Sequence, residues 1–286
     1  MTITICICGA GTMGSGIAQV AAQSGFNTIL FDLNETVVEN AKAVIQKNLD
    51  YLVDKEKISS SEKKDIYNRI QFTSDINDCF AQIIIEAIVE KPEAKISLFN
   101  ELANYNNEET IFATNTSSLS VSALQKEIIF PQRVVGMHFF NPAYIMKLVE
   151  VVKGDQTNDE IANTIFSICK EMGKVPVMCK DAPGFIVNRV ARHYYLESLK
   201  IVEEGFASFE DVDRILEASG FKMGPFKLMD LIGIDINLAV SQSMYEAFNN
   251  VERFKPSLLQ KEKVENGNLG KKSGSGFYSY GNKNEL

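Results

Sequence analysis

Residues 3–14 read Ile3-Thr4-Ile5-Cys6-Ile7-Cys8-Gly9-Ala10-Gly11-Thr12-Met13-Gly14, and this stretch decides the fold. Isoleucines at alternate positions over the first six residues predict a buried strand. The G-x-G-x-x-G that follows opens a helical run to Ser24 and Gly25. Each glycine has a task in a strand–turn–helix that cradles a pyrophosphate. Gly9 permits the tight turn, Gly11 lets the backbone approach the phosphates, and Gly14 lets helix and strand pack closely. The helix start, with Thr12 and Met13, then offers unpaired N–H groups and a partial positive charge to the anion.

The next β-branched run, Thr28 to Phe31, ends at Asp32. Asp32 lies about 20 residues beyond the glycines, where a carboxylate accepts the ribose hydroxyls of NAD and repels the 2′-phosphate of NADP. No arginine follows it, since Leu33 and Asn34 come next. The expected cofactor is therefore NAD.

Working outward, β-branched runs recur at Ile70 to Thr73, Ile83 to Ala87, Thr110 to Ala113, Val134 to His138 and Leu148 to Val152. Helical stretches such as Glu93 to Asn104 and Asp159 to Met172 separate most of them, a pattern of βαβ units and a mostly parallel sheet. The connection from Asn34 to Arg69 is too long for one ordinary helix, and its apolar positions predict an inserted helical hairpin. After the turn-rich Asp181-Ala182-Pro183-Gly184 the pattern becomes helical: Phe185 to Glu204, Glu210 to Ser219, Lys227 to Phe248 and Pro256 to Glu265. The expected fold is α/β, a Rossmann-type mostly parallel sheet over residues 1–183, followed by an all-helical domain over residues 184–286.

Composition narrows the function. Lys and Arg number 29 against 37 Asp and Glu, a formal net charge of −8. That balance argues against nucleic acid and anionic membrane surfaces as partners. The two histidines, His138 and His193, cannot build a three-His zinc site, and the spacing of the five cysteines offers no close cluster to replace one. No metal is expected. No CxxC pair, basic leader or long apolar run is visible, so the expected setting is the reducing cytoplasm.

Chemistry-bearing residues gather at later strand ends. Thr114-Asn115-Thr116-Ser117-Ser118 follows one strand, where an α/β sheet presents its site, though such a run also serves as a helix cap. His138 ends another and runs into Phe139-Phe140-Asn141-Pro142. Glu150 sits among valines on the next strand, and a buried carboxylate there needs a partner, for which an imidazole is suited. A His held by a carboxylate beside a nicotinamide is a general base for oxidising an alcohol.

With these residues in view, the sequence resembles the short-chain L-3-hydroxyacyl-CoA dehydrogenase family, of the 3-hydroxybutyryl-CoA dehydrogenase type, along essentially its whole length. The matching stretches are Gly9 to Gly14, Asn115 to Leu119, Gly136 to Pro142, Met146 to Val152, Pro183 to Arg189, Met223 to Gly233 and Gly270 to Tyr278. The resemblance implies reversible oxidation of an (S)-3-hydroxyacyl-CoA to the 3-oxoacyl-CoA. His138 would take the hydroxyl proton, Glu150 would orient the imidazole, and Ser117 and Asn188 would hydrogen-bond the substrate oxygens. Asn115, Ser117, Asn141, Glu90, Lys95 and Lys272 match positions at or near the cofactor, and Lys55 matches a lysine on the CoA portion. The helical domain would supply a homodimer interface.

Two segments, Val190-Ala191-Arg192 and Arg253 to Leu259, look closer to the branch that acts on 3-hydroxyadipyl-CoA in phenylacetate degradation. Two further readings stay open: a two-domain β-hydroxyacid dehydrogenase lacking CoA, and a non-catalytic, crystallin-like NAD-binding protein.

Overall fold

The computed structural model describes residues 3–281. Strand β1 (Thr4–Cys8) runs into helix α1 (Thr12–Gln23), and β2 (Asn27–Phe31) pairs parallel to β1 in the register Cys8↔Phe31. The long connection is the expected hairpin, α2 (Glu35–Asp54) and α3 (Ser60–Asn68). Asn34 caps α2 by accepting from the Thr36 N–H, and Ser59 with Glu62 forms a reciprocal capping box on α3. Then follow β3 (Ile70–Thr73), β4 (Ile83–Glu86), α4 (Pro92–Tyr105), β5 (Ile111–Thr114), the short α5 (Val121–Gln125), β6 (Val134–Phe139), β7 (Leu148–Lys153), α6 (Asp159–Glu171) and β8 (Val175–Lys180).

The sheet order is β3-β2-β1-β4-β5-β6-β7-β8, parallel throughout except where β6 meets β7. The order reverses between β1 and β4, the switch point at which open α/β sheets bind their ligands. Ile5, Ile7, Leu30, Ile85, Met137 and Val151 face the core that α1, α2 and α6 cover. Cys6 and Cys8, alternating with those isoleucines on β1, are buried on the other face.

β8 lies outside the sequence expectation. Pro176 interrupts its β pattern, and its residues are only partly buried because it is an edge strand paired to β7 alone. An edge position tolerates proline, which has no N–H to give to a ladder.

The chain divides into two compact units, Met1–Ala182 and Pro183–Leu286. The second comprises α7 (Val187–Glu203), α8 (Phe209–Ala218), α9 (Pro225–Ile232), α10 (Ile234–Ala247) and α11 (Leu258–Glu265). The single helix expected over Lys227 to Phe248 is two, because Gly233 takes φ 105°, which no helix accommodates. Tyr195, Leu199, Phe226, Met229 and Phe277 form its core. Buried Asp230 accepts from the Phe277 and Tyr278 N–H groups and so ties the C-terminal glycine-rich segment to α9. No helix among the described residues is long and apolar enough to cross a membrane.

Candidate active site

The glycine loop is built as its spacing predicts. The Gly9 N–H donates to the Phe31 carbonyl at 2.8 Å, and a Cβ on Gly9 would stand 2.6 Å from the Ala87 carbonyl oxygen. A Cβ on Gly14 would stand 1.7 Å from the Gly9 carbonyl oxygen, so α1 sits directly on the turn. Around Gly11 the space is open, with nothing within 4 Å of such a Cβ. No side chain caps α1, and no acidic residue occupies its first turn. The N–H groups at Thr12 and Met13 thus keep the character of an anion site. These observations fit a dinucleotide pyrophosphate over Gly11.

Asp32 has a second task beside ribose recognition. Its Oδ2 accepts from the Ala10 N–H at 2.9 Å and its Oδ1 from the Asn34 N–H at 3.0 Å. One carboxylate therefore holds the glycine loop and the start of α2 in place, and each oxygen still has a lone pair for a ribose hydroxyl. Replacing Asp32 by Ala is expected to lower the NADH-over-NADPH ratio of kcat/KM by about tenfold, a charge-assisted hydrogen bond being worth that much. Steady-state rates with the two reduced cofactors check it; an unchanged ratio would remove Asp32 from cofactor selection.

At the carboxyl ends of β4 and β5 lies a buried ion network that the sequence reading missed in part. Glu86, fully buried, accepts from Thr114 Oγ1, the Ile88 N–H and Lys95 Nζ. Lys95, 1 % exposed, also pairs with Glu90 at 3.1 Å. Glu90 in turn accepts from Thr116 Oγ1, from the Ser117 N–H and from the Ser118 hydroxyl. Burial pushes the Glu86 carboxyl upward, only partly offset by Lys95. Burial pushes Glu90 up as well, but Lys95 and the Thr116 and Ser117 hydrogen bonds outweigh it and hold Glu90 below its ordinary value. Lys95 therefore sits between two carboxylates, where it fixes Glu90 and, through it, the Ser117 loop. The signal for Glu86 was present as a lone carboxylate closing an all-isoleucine strand.

Asn115 accepts from the Phe139 N–H at 2.9 Å, which fixes the end of β6 beside His138. The antiparallel register of β6 and β7 sets His138 directly opposite Glu150. Directly opposed side chains share one face of a sheet within contact distance. His138 Nδ1 and Glu150 Oε2 are 2.8 Å apart, both buried. The Phe140 ring packs on the imidazole at 4.4 Å between centroids. Asn141 is exposed and precedes Pro142 through a cis peptide bond. The loop beyond it is tied by Lys174, whose Nζ donates to the carbonyls of Ala143 and Met146.

The remaining expected residues lie apart from this cluster within their own units. Lys55 follows α2, exposed, with its Nζ 5.7 Å from the Tyr51 ring centroid. In the same hairpin Lys63 is paired with Asp50 and Lys42 with Glu39. In the second unit Asn188 stands in the first turn of α7, and Lys272 pairs with Asp235 of α10 at 2.6 Å.

One expectation is overturned. Cys79, remote in sequence from Cys6 and Cys8, brings its sulfur into their neighbourhood, so that the three Sγ atoms lie within 4.8 Å of one another. Spacing along the chain could not reveal this, since the turn before β4 delivers Cys79 to β1.

Residues 4–182 match the family model of the 3-hydroxyacyl-CoA dehydrogenase NAD-binding domain, and residues 184–280 match that of the C-terminal domain of the same family. The chain belongs to the 3-hydroxyacyl-CoA dehydrogenase family. The 3-hydroxyadipyl-CoA dehydrogenase of Escherichia coli is 44 % identical over 97 % of this chain, which spans 59 % of that relative's length. A probable 3-hydroxybutyryl-CoA dehydrogenase of Deinococcus radiodurans is 40 % identical over 96 % of this chain and 99 % of its own. The crystal structure of (S)-3-hydroxybutyryl-CoA dehydrogenase from Ralstonia eutropha superposes with a TM-score of 0.94 at 36 % identity, covering 99 % of this chain and 100 % of that one. Membership accounts for the two-unit organisation, with the dinucleotide loop in the first and a helical second unit.

Proposed function

We propose that the chain is a cytoplasmic enzyme that oxidises short-chain (S)-3-hydroxyacyl-CoA thioesters to 3-oxoacyl-CoA with NAD, reversibly. The observation that carries this reading is the buried His138–Glu150 pair at the carboxyl end of the sheet whose first loop is the Gly9–Gly14 cradle. Oxidising a secondary alcohol removes a proton and a hydride together, and NAD, when bound, supplies the hydride acceptor. With Nδ1 turned to Glu150, the imidazole keeps the tautomer that directs Nε2 to the substrate hydroxyl. Glu150 stabilises the imidazolium once His138 has taken the proton. Ser117, on the loop that Glu90 fastens, and Asn188 orient the 3-oxygen and the thioester carbonyl.

The CoA phosphates need cations on a chain of net charge −8, and Lys55 with its neighbours in the hairpin fills that need. A homodimer through the helical unit suits its exposed apolar side chains, among them Phe206, Ile215 and Leu258.

The assay is NADH oxidation with acetoacetyl-CoA, set against free acetoacetate and against NADPH. Turnover is expected with the thioester and NADH, at a kcat/KM well above that of either alternative. Turnover of free acetoacetate but not the thioester would replace the CoA reading by that of a CoA-independent β-hydroxyacid dehydrogenase.

A further inference from the structure

We infer that Arg192 is the seat of a carboxylate-binding site for the far end of a dicarboxylic acyl group, so that the preferred thioester carries a second carboxylate. The inference rests on the function proposed above and adds to it the residue that reads the acyl terminus.

Arg192 lies four residues after Asn188 on α7, one turn along the same helix face. Its side chain is out of water, with the residue only 4 % exposed. Nη1 donates to the Asn237 carbonyl at 2.9 Å, to Asn237 Oδ1 at 3.2 Å and to Ser241 Oγ at 2.9 Å. All three acceptors are neutral and belong to α10. The guanidinium packs on the Tyr195 ring at 4.8 Å. Among the described residues of its own unit, no carboxylate stands within ion-pair distance.

Two donors of this network are buried without an acceptor, Arg192 Nε and Asn237 Nδ2. The orientation of the Asn237 amide is fixed, because its Oδ1 already accepts from Arg192 and, at 2.8 Å, from Gln260 Nε2. The one acceptor of the group left unpartnered is Gln260 Oε1. Burial lowers the guanidinium to about 10, with no opposite charge to offset it.

A buried cation with orphan N–H groups and only neutral partners calls for an anion. Guanidinium matches a carboxylate, through two parallel N–H···O bonds, better than any other side chain does. The CoA phosphates are too bulky and too highly charged for a group this enclosed. A slender methylene chain ending in one carboxylate suits a site walled by Tyr195 and by α10. A free dicarboxylate shares that chemistry, and the experiment separates the two.

Rates with 3-hydroxyadipyl-CoA and 3-hydroxybutyryl-CoA are compared for the native enzyme, Arg192→Met and Asn237→Asp, with free adipate added as an inhibitor in a separate arm. The native enzyme is expected to favour the dicarboxylic thioester. Arg192→Met lowers the ratio of the two kcat/KM values by about 10- to 100-fold, chiefly through KM, as loss of a charged hydrogen bond requires. Asn237→Asp places a carboxylate beside the guanidinium and is expected to lower the same ratio while satisfying the charge, which covers the case in which Arg192→Met fails to fold. A ratio that neither variant changes overturns the inference and leaves the dehydrogenase reading standing. Inhibition by adipate that is lost in Arg192→Met, with no selectivity between thioesters, assigns the site to free dicarboxylates and overturns it too. Turnover of neither thioester by the native enzyme sinks the parent reading and this one with it.

Discussion

Replacing His138 by Gln lowers kcat with acetoacetyl-CoA by about 10²- to 10⁴-fold, the loss expected when a general base is removed, and leaves NADH binding intact. The cofactor cradle lies on β1 and α1, whereas His138 lies three strands away on β6, so the two functions separate cleanly. NADH fluorescence on titration reads the binding, and stopped-flow absorbance reads the chemical step. Glu150→Gln keeps the shape of the pair and removes its charge. Its rate is expected to fall substantially, because the imidazolium loses its stabilising partner and its tautomer is no longer dictated. A near-normal rate in His138→Gln would show that some other group takes the proton, and the mechanism given above would be wrong.

The second large effect separates two glycines of the same motif. Gly14→Ala sets a methyl 1.7 Å from the Gly9 carbonyl oxygen, and α1 must leave β1 to make room. Overpacking of this kind costs about 1–3 kcal/mol or more, seen as a lower midpoint in thermal or urea unfolding, and NADH binding is lost with the loop geometry. Gly11→Ala meets no protein atom within 4 Å, at a φ of −68° open to any residue. Its stability is expected to stay within about 0.5 kcal/mol of native. The new methyl points into the space assigned to the pyrophosphate, so NADH affinity falls by about tenfold or more. If Gly11→Ala binds NADH normally, the phosphates do not lie over that residue.

Much of the first unit was legible because its signals are local. The alternation of Ile3 to Ile7, the glycines after it and Asp32 at the end of β2 specify a strand, a turn and a carboxylate without knowledge of the rest of the chain. The His138–Glu150 pair was legible for another reason: a carboxylate between buried valines is untenable alone, and one strand-end imidazole was at hand. What escaped depends on contacts between distant segments. Glu86 and Lys95 explain each other only once β4 and α4 are packed, and Cys79 reaches Cys6 and Cys8 only through the turn before β4. The break at Gly233 was visible as a glycine, but helical periodicity on both sides hid that its backbone is left-handed. β8 was masked by Pro176, which is harmless at an edge and ruinous elsewhere.

The reversal of direction between β6 and β7 turns a hydrogen-bond ladder into a ruler. His138 and Glu150 meet because of a count of residues along two paired strands, and the loop that joins them does not enter that count. Loop residues 140–147 are thus free to drift in length and composition under mutation, provided the ladder closes in the same place. A single deletion inside β7, by contrast, would turn the carboxylate to the opposite side of the sheet. Evolutionary tolerance and intolerance therefore lie side by side, a few residues apart, and the boundary between them is set by strand parity rather than by distance from the catalytic atoms.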